Sequence, residues 1–202
     1  MRTTPTIGVL AIQGDYEAHR ARLEELGATV VLVRNPEQLD EIDAIIIPGG
    51  ESSTMLKFLE RGGFLQKLKD FVRAKPTFGT CAGSILLASS VENPPQESLG
   101  GMDIAVRRNA YGRQNESAIH EVQSELPGGP MEAVFIRAPK INRVGKSVEV
   151  LAELDGSPVL VREGHNMAAT FHPELSDDTR VHKAFLQMVK EHAGKATSNG
   201  DK

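Results

Sequence analysis

Apolar residues fall in short runs along this chain, separated by glycine, proline and charge. Residues 6–12 (TIGVLAI), 28–33 and 43–47 are near-continuous apolar runs of strand length. Between the first two, residues 15–26 place Leu23 and Leu26 at helical spacing, and Gly27 stands at a C-cap position. After the third run, Ser52 or Ser53 can cap a helix carrying Met55, Leu56 and Leu59. A further helix spans 64–74, a short fourth strand spans 76–78, and helix resumes over 85–88 beyond a turn at Cys81. Alternating strand and helix implies parallel strands joined by right-handed crossovers. Unbroken apolar strands belong to a sheet covered on both faces.

The second half changes character. Asn93-Pro94-Pro95 opens a loop, and residues 104–106, 133–136, 148–154, 159–162 and 167–171 read as strands. Asp155-Gly156 is a hairpin turn signal between two of them. A final helix begins at Asp178 or Thr179 and carries Val181, Phe185, Leu186, Met188 and Val189. The expected fold class is α/β: a three-layer sandwich with a mostly parallel central sheet and an added antiparallel strand region. No repeat or long linker divides the chain, so residues 1–193 are expected to form one domain. The small, polar stretch 194–202 is expected to be a disordered tail.

Composition removes several function classes. The chain has 202 residues and a formal net charge of -4, so it has length enough for a core but no broad basic field. Nucleic-acid binding is therefore not expected. The apolar runs are too short to span a bilayer, and residues 1–5 lack the basic-then-apolar pattern of a signal peptide. One cysteine, Cys81, allows neither an intramolecular disulfide nor a metal site built on several thiolates. A reducing, cytoplasmic setting is the inference, with no membrane partner.

That cysteine lies in Phe78-Gly79-Thr80-Cys81-Ala82-Gly83, a G-x-C-x-G segment between a strand and a helix. This is the cysteine form of a nucleophile elbow. A sharp strand-to-helix turn strains the nucleophile and crowds its neighbours, which Gly79 and Gly83 would relieve. The turn puts sulfur at a helix N-terminus, where the thiolate is favoured, and the Ala82 amide is placed to meet a developing oxyanion. A buried structural thiol in a tight turn is the competing reading.

A nucleophilic thiol needs a base, and the base needs an orienting partner. Phe171-His172-Pro173-Glu174 follows a strand, and in extended chain His172 and Glu174 project the same way. Alone, the pair also fits a solvated surface histidine; joined to an elbow, it reads as base and orienter. His19, His120, His165, His182 and His192 lack such a context and are read as structural or surface residues, with His182 and His192 on the exposed face of the last helix. Pro48-Gly49-Gly50-Glu51-Ser52 ends the third strand at the edge where open α/β sheets bind ligands. Its glycines can offer amides to an oxyanion, and Glu51 and Ser52 can hold an amino-acid head group; an ordinary turn with a helix cap fits equally well. No Gly-Lys-Ser/Thr ending marks it as a phosphate loop. Arg108 and Arg137 stand at strand ends and can pair with a carboxylate.

Together, IGVLAIQG (7–14), PGGESSTM (48–55), FGTCAG (78–83), RNAYGRQ (108–114), FIRAP (135–139) and FHPEL (171–175) resemble the class I, or triad, glutamine amidotransferases. Within that class the chain is most similar to the glutaminase subunits of pyridoxal 5'-phosphate synthase, over nearly its whole length. The resemblance implies Cys81 as nucleophile, with His172 and Glu174 completing the triad. It implies that Gly50, Glu51, Ser52, Arg108, Ile136 and Arg137 contact glutamine, with Gly50 and Ala82 forming the oxyanion hole. It further implies hydrolysis of glutamine to glutamate and ammonia without metal or organic cofactor. The ammonia would pass to a barrel-type synthase subunit within a large complex of the two subunits. A glutaminase of the histidine or purine pathway, a catalytically silent binding subunit, and a cysteine hydrolase or redox sensor remain as alternatives. Ser84 departs from the apolar residue expected after the elbow.

Overall fold

The computed structural model describes residues 4–110 and 117–198. Strand β1 (Thr6–Leu10) leads through helix α1 (Tyr16–Glu25) to β2 (Thr29–Val33). A 3-10 turn at Pro36–Glu41 precedes β3 (Ala44–Ile47), α2 (Ser52–Leu59), α3 (Phe64–Ala74), β4 (Thr77–Thr80) and α4 (Ala82–Leu87). Then come β5 (Ala88–Glu92), β6 (Met102–Arg107), β7 (Ser117–Ser124), β8 (Met131–Ile136) and β9 (Lys140–Val144). The chain closes with β10 (Glu149–Leu154), β11 (Ser157–Glu163), β12 (Asn166–Ala169) and α5 (Arg180–Ser198).

Nine strands form one sheet in the order β2-β1-β3-β4-β12-β11-β10-β7-β8. The pairs from β2 through β12 are parallel, and those from β12 through β8 are antiparallel. The parallel part is the alternating strand–helix half seen in the sequence, with β12 returning to join it. A second sheet, β5-β6-β9, is hydrogen-bonded separately and shares a core with the first, Ile104, Val106 and Ile141 lying in one cluster with Val161 and Ala168.

Alternation along β3 shows why the sheet is covered twice. Ile45 and Ile47 join a core with Met55, Leu59, Phe64, Leu68 and Leu86, contributed by α2, α3 and α4. Ala44 and Ile46 face the other way, into a core with Leu23 of α1 and Val181, Phe185 and Val189 of α5. All four strand residues are buried, so each face carries its own apolar layer. This is the three-layer α/β arrangement the pattern implies.

Three departures have physical causes. Strands β5, β7 and β9 were not evident in the sequence; their burial alternates weakly and most of their residues are exposed, so pairing rather than an apolar run defines them. The N-cap of α2 is Glu51, not Ser52 or Ser53: its carboxylate accepts from the amides of Ser53 and Thr54 at 3.2 and 2.7 Å. Helix α5 continues to Ser198, so the expected tail is helical over 194–198, and the rest of it lies outside the described residues. The Asp155-Gly156 hairpin turn forms as expected, with φ of 49° and 73°.

The elbow glycines are needed for packing. A Cβ on Gly79 would collide with the Gly83 backbone, and one on Gly83 would collide with the Ile47 carbonyl. Gly83→Ala should therefore lower stability by ~2 kcal/mol or more, as overpacking against fixed backbone does, measured as a fall in the urea midpoint.

Candidate active site

Strand β4 ends at Thr80, and Cys81 turns the chain into α4 with φ 48° and ψ -108°. Left-handed backbone at a residue other than glycine is strained and is held only by its surroundings. The Cys81 amide donates to the Ala169 carbonyl at 2.8 Å, tying the turn to β12. The Cys81 carbonyl accepts from the Ser84 amide at 3.0 Å and from the Ser84 hydroxyl at 2.6 Å. Ser84 is fully buried, so its hydroxyl has a structural use that an apolar residue lacks. Such a bond contributes about 1 kcal/mol net.

The parallel pairing of β4 with β12 sets Thr80 opposite Ala169. The next turn of each strand therefore brings Cys81 and His172 together. Both flank Gly49: a Cβ there would lie 2.6 Å from His172 Cε1 and 3.4 Å from Cys81 Cβ. On one side the His172 ring neighbours the Cys81 side chain across Gly49. On the other, its Nδ1 lies 2.7 Å from Glu174 Oε1. Glu174 is 3% exposed and His172 5%, so the carboxylate lies behind the imidazole, away from solvent.

Burial opposes a charge on His172, but hydrogen bonds to Cys81 and Glu174, and their charges, outweigh it and raise the imidazole pKa to about 10. An imidazolium facing sulfur favours the thiolate. This arrangement suits nucleophilic attack followed by proton donation.

A cavity of about 430 Å³ opens above the sulfur, within the range of small-molecule sites. Gly50, Glu51, Ser52, Cys81, Ala82, Arg108, Ile136, Arg137 and His172 all line it. Every site residue named from the sequence is thus brought together, with Glu174 just behind. Some are already engaged. The Glu51 carboxylate caps α2 and takes the Thr54 hydroxyl at 2.8 Å, bonds that, against the cost of burial, lower its pKa to about 2. Arg108 Nη2 donates to Ser53 Oγ at 2.7 Å and Glu51 Oε1 at 3.3 Å. The Ser52 hydroxyl donates to Gln96 Oε1 at 3.1 Å. Gly50 holds φ 149°, and the next amide, that of Glu51, donates to Gln13 Oε1 at 3.1 Å. Ile136 is half-buried and Arg137 exposed at the end of β8, the latter with φ 44°. The RNAYGRQ stretch continues past Ala110 outside the described residues.

Gln13, Asp15 and Asn109 also line the cavity and were not singled out. Gln13 follows β1 at the carboxyl edge of the sheet, a position the strand pattern alone could have marked. Among the described residues, Asp15, His172 and Glu174 bring potential metal-ligand atoms within 4.8 Å of one another. His172 Nδ1 is committed to Glu174 there, so that pair reads as base and orienter, with Asp15 nearby. His182 is not on an exposed face: both it and His19 are fully buried beside Glu174's side of the sheet.

A strand-to-helix cysteine elbow backed by a buried His–Glu pair defines a triad hydrolase or amidotransferase. A model of the SNO glutamine amidotransferase family matches residues 9–191, and the chain belongs to that family. It is 64% identical over 184 residues to the pyridoxal 5'-phosphate synthase subunit PdxT of Koribacter versatilis (strain Ellin345), covering 91% of this chain and 95% of that one. It is 51% identical to the protein of the same name from Thermotoga maritima, covering 91% and 99%. A crystal structure of a glutamine amidotransferase, 43% identical, superposes with a TM-score of 0.85 over 91% of this chain and 98% of that one. A glutamine amidotransferase from Thermotoga maritima at 12% identity shares the fold, with a TM-score of 0.59 over 95% and 86%. Among the described residues no helix is long and apolar enough to cross a membrane.

The raised His172 pKa fixes a sign. A group whose pKa is higher folded than unfolded stabilises fully below its unfolded value and loses that contribution as pH rises through the folded value. The unfolding free energy lost in His172→Gln should therefore be largest below pH 6.5 and shrink as pH approaches about 10, read from urea titrations of both proteins.

Proposed function

We propose that this chain is the glutaminase subunit of pyridoxal 5'-phosphate synthase, hydrolysing L-glutamine and delivering ammonia to a barrel-type synthase subunit. The observation that carries this is the Cys81–His172–Glu174 alignment at the floor of a cavity sized for one amino acid. The names of the 64% and 51% identical relatives support the particular synthase.

In this reading the Cys81 thiolate attacks the side-chain amide carbon of glutamine. Backbone amides of Gly50 and Ala82 receive the oxyanion; losing one such donor costs ~3 kcal/mol. As the tetrahedral adduct collapses, the nitrogen takes the His172 proton and leaves as ammonia, giving a γ-glutamyl thioester. Neutral His172 then removes a proton from water, and the resulting hydroxide attacks the thioester. Collapse expels the thiolate, restores the thiolate–imidazolium pair and yields glutamate. Glu174 holds the ring with Nδ1 protonated throughout. Gly50, Glu51, Ser52, Arg108, Ile136 and Arg137 contact the substrate, the arginines matching its carboxylate. No step calls on a metal or organic cofactor. A free thiolate suits a reducing compartment, the cytoplasm.

Ammonia released into water is protonated and lost as a nucleophile, which is why it passes directly to the partner. Docking on the synthase switches the site on by rearranging the loop at Gly49 and Gly50. The two glycines tolerate the peptide flip that such a change needs, and the Gln13 bond to the Glu51 amide is a contact it would break.

Cys81→Ala should fold normally and release no ammonia from glutamine, in an assay with the synthase present; wild-type turnover would remove the nucleophile assignment. The wild-type chain alone should turn over at least tenfold more slowly than with the synthase, measured as glutamate formed per minute. Full activity without a partner would contradict activation by docking.

A further inference from the structure

Two histidines that the mechanism does not use lie behind the triad. His19 of α1 and His182 of α5 are both fully buried. His19 Nε2 lies 3.3 Å from Glu174 Oε2, the carboxylate oxygen that does not face His172, and 3.1 Å from Thr80 Oγ1. Its Nδ1 lies 3.0 Å from His182 Nε2. Glu174 Oε2 and His182 Nδ1 are both buried without a hydrogen-bond partner among the described residues, and His19 Nε2 is the nitrogen that approaches this oxygen. A buried carboxylate oxygen without a donor carries the full desolvation cost of that charge. The two rings therefore stand where a donor is needed.

The proton inventory selects one arrangement. Burial, with the neighbouring His182 and His172 rings, pushes the His19 pKa well below its ordinary range; burial, with the Arg22 charge, lowers that of His182 to about 4. Both rings are neutral, and each carries one N–H. If His19 carries its proton on Nε2, it serves Glu174 and Thr80, and its Nδ1 is left to accept. His182 then donates from Nε2 and keeps a bare Nδ1, which is the atom found without a partner. The opposite tautomers would leave a lone pair facing the carboxylate and a buried N–H with no acceptor. One set of tautomers thus points every proton toward Glu174.

We propose that His19 is a positioning residue of the glutaminase: its Nε2–H holds the outer oxygen of Glu174, with His182 fixing the tautomer of His19 from behind. The triad then extends inward from Cys81 through His172 and Glu174 to His19 and His182. Thr80, next to Cys81 in sequence, shares the same donor and ties the relay to the elbow. Oriented by a donor on each oxygen, Glu174 keeps the plane in which it meets His172 Nδ1, and so keeps the imidazole aimed at sulfur. This rests on the glutaminase reading for its effect on turnover, but not for its effect on the thiol.

The test compares His19→Gln with His19→Met in the full-length chain. The two side chains are unbranched and similar in length. Only glutamine offers an N–H toward Glu174 and a carbonyl oxygen to accept from His182. Two readouts are taken: the rate of Cys81 alkylation by iodoacetamide at neutral pH, and kcat and KM for glutamine with the synthase present. His19→Met is expected to slow alkylation fivefold or more and lower kcat tenfold or more, with KM within threefold of wild type. His19→Gln is expected to recover most of both. A His19→Met chain that matches wild type overturns the proposal, as does a His19→Gln chain as impaired as His19→Met, which marks the site as packing only. Should His19→Met fail to give a cooperative melt, His182→Leu carries the test. It removes the donor behind His19 and should slow alkylation two- to fivefold, and an unchanged rate overturns the proposal. If wild type releases no ammonia, the glutaminase reading falls, and the alkylation rates still decide the role of His19.

Discussion

The backbone at Cys81 takes a conformation that side-chain-bearing residues avoid, at a cost of order 1–3 kcal/mol, and the catalytic geometry follows from holding it there. Three features hold it. The Cys81 amide is bonded to β12, its carbonyl takes two bonds from Ser84, and the glycines at 79 and 83 let β4, α4 and the end of β3 close to contact distances that a Cβ would prevent. Because the same β4–β12 pairing that receives the amide also fixes the register of His172, the strained turn and its base are positioned by one set of hydrogen bonds. A slip in that register would separate sulfur from imidazole.

The inner side of the site obeys a different constraint. Glu174 is a nearly fully buried carboxylate, and a buried charge is tolerated only where its oxygens meet donors. His172 serves one oxygen; the ring of His19 approaches the other, supported by α5 through His182. The layer formed by α1 and α5 therefore does more than cover the sheet with apolar side chains. It also supplies polar groups to the carboxylate that orients the base.

Much of this was legible in the sequence, and the reasons differ by residue. The elbow is local: Gly79, Cys81 and Gly83 sit within five positions, so spacing alone reports the crowding the structure contains. His172 and Glu174 were legible because a strand followed by His-Pro-Glu keeps two side chains on one side. The parallel half was legible because strands buried on both faces carry unbroken apolar runs. Strands β5, β7 and β9 escaped notice because most of their residues face solvent. Glu51 reads in sequence as a substrate ligand and Ser52 or Ser53 as the cap; side-chain oxygens of both residue types can accept from helix amides, and only three-dimensional placement shows that the carboxylate turns to them. The buried histidines were misread, although a signal was present. His182 stands three and seven residues before Phe185 and Val189, and His19 four before Leu23, which places each on the inner face of its helix.

The central claim, that sulfur at Cys81 is the nucleophile toward a glutamine side chain, is tested most directly by intact mass and peptide mapping after incubation with a glutamine-analogue affinity label. The account predicts a single adduct per chain, on Cys81, formed more slowly when glutamine is added in competition. An adduct elsewhere, or labelling of Cys81 that glutamine does not slow, would contradict it.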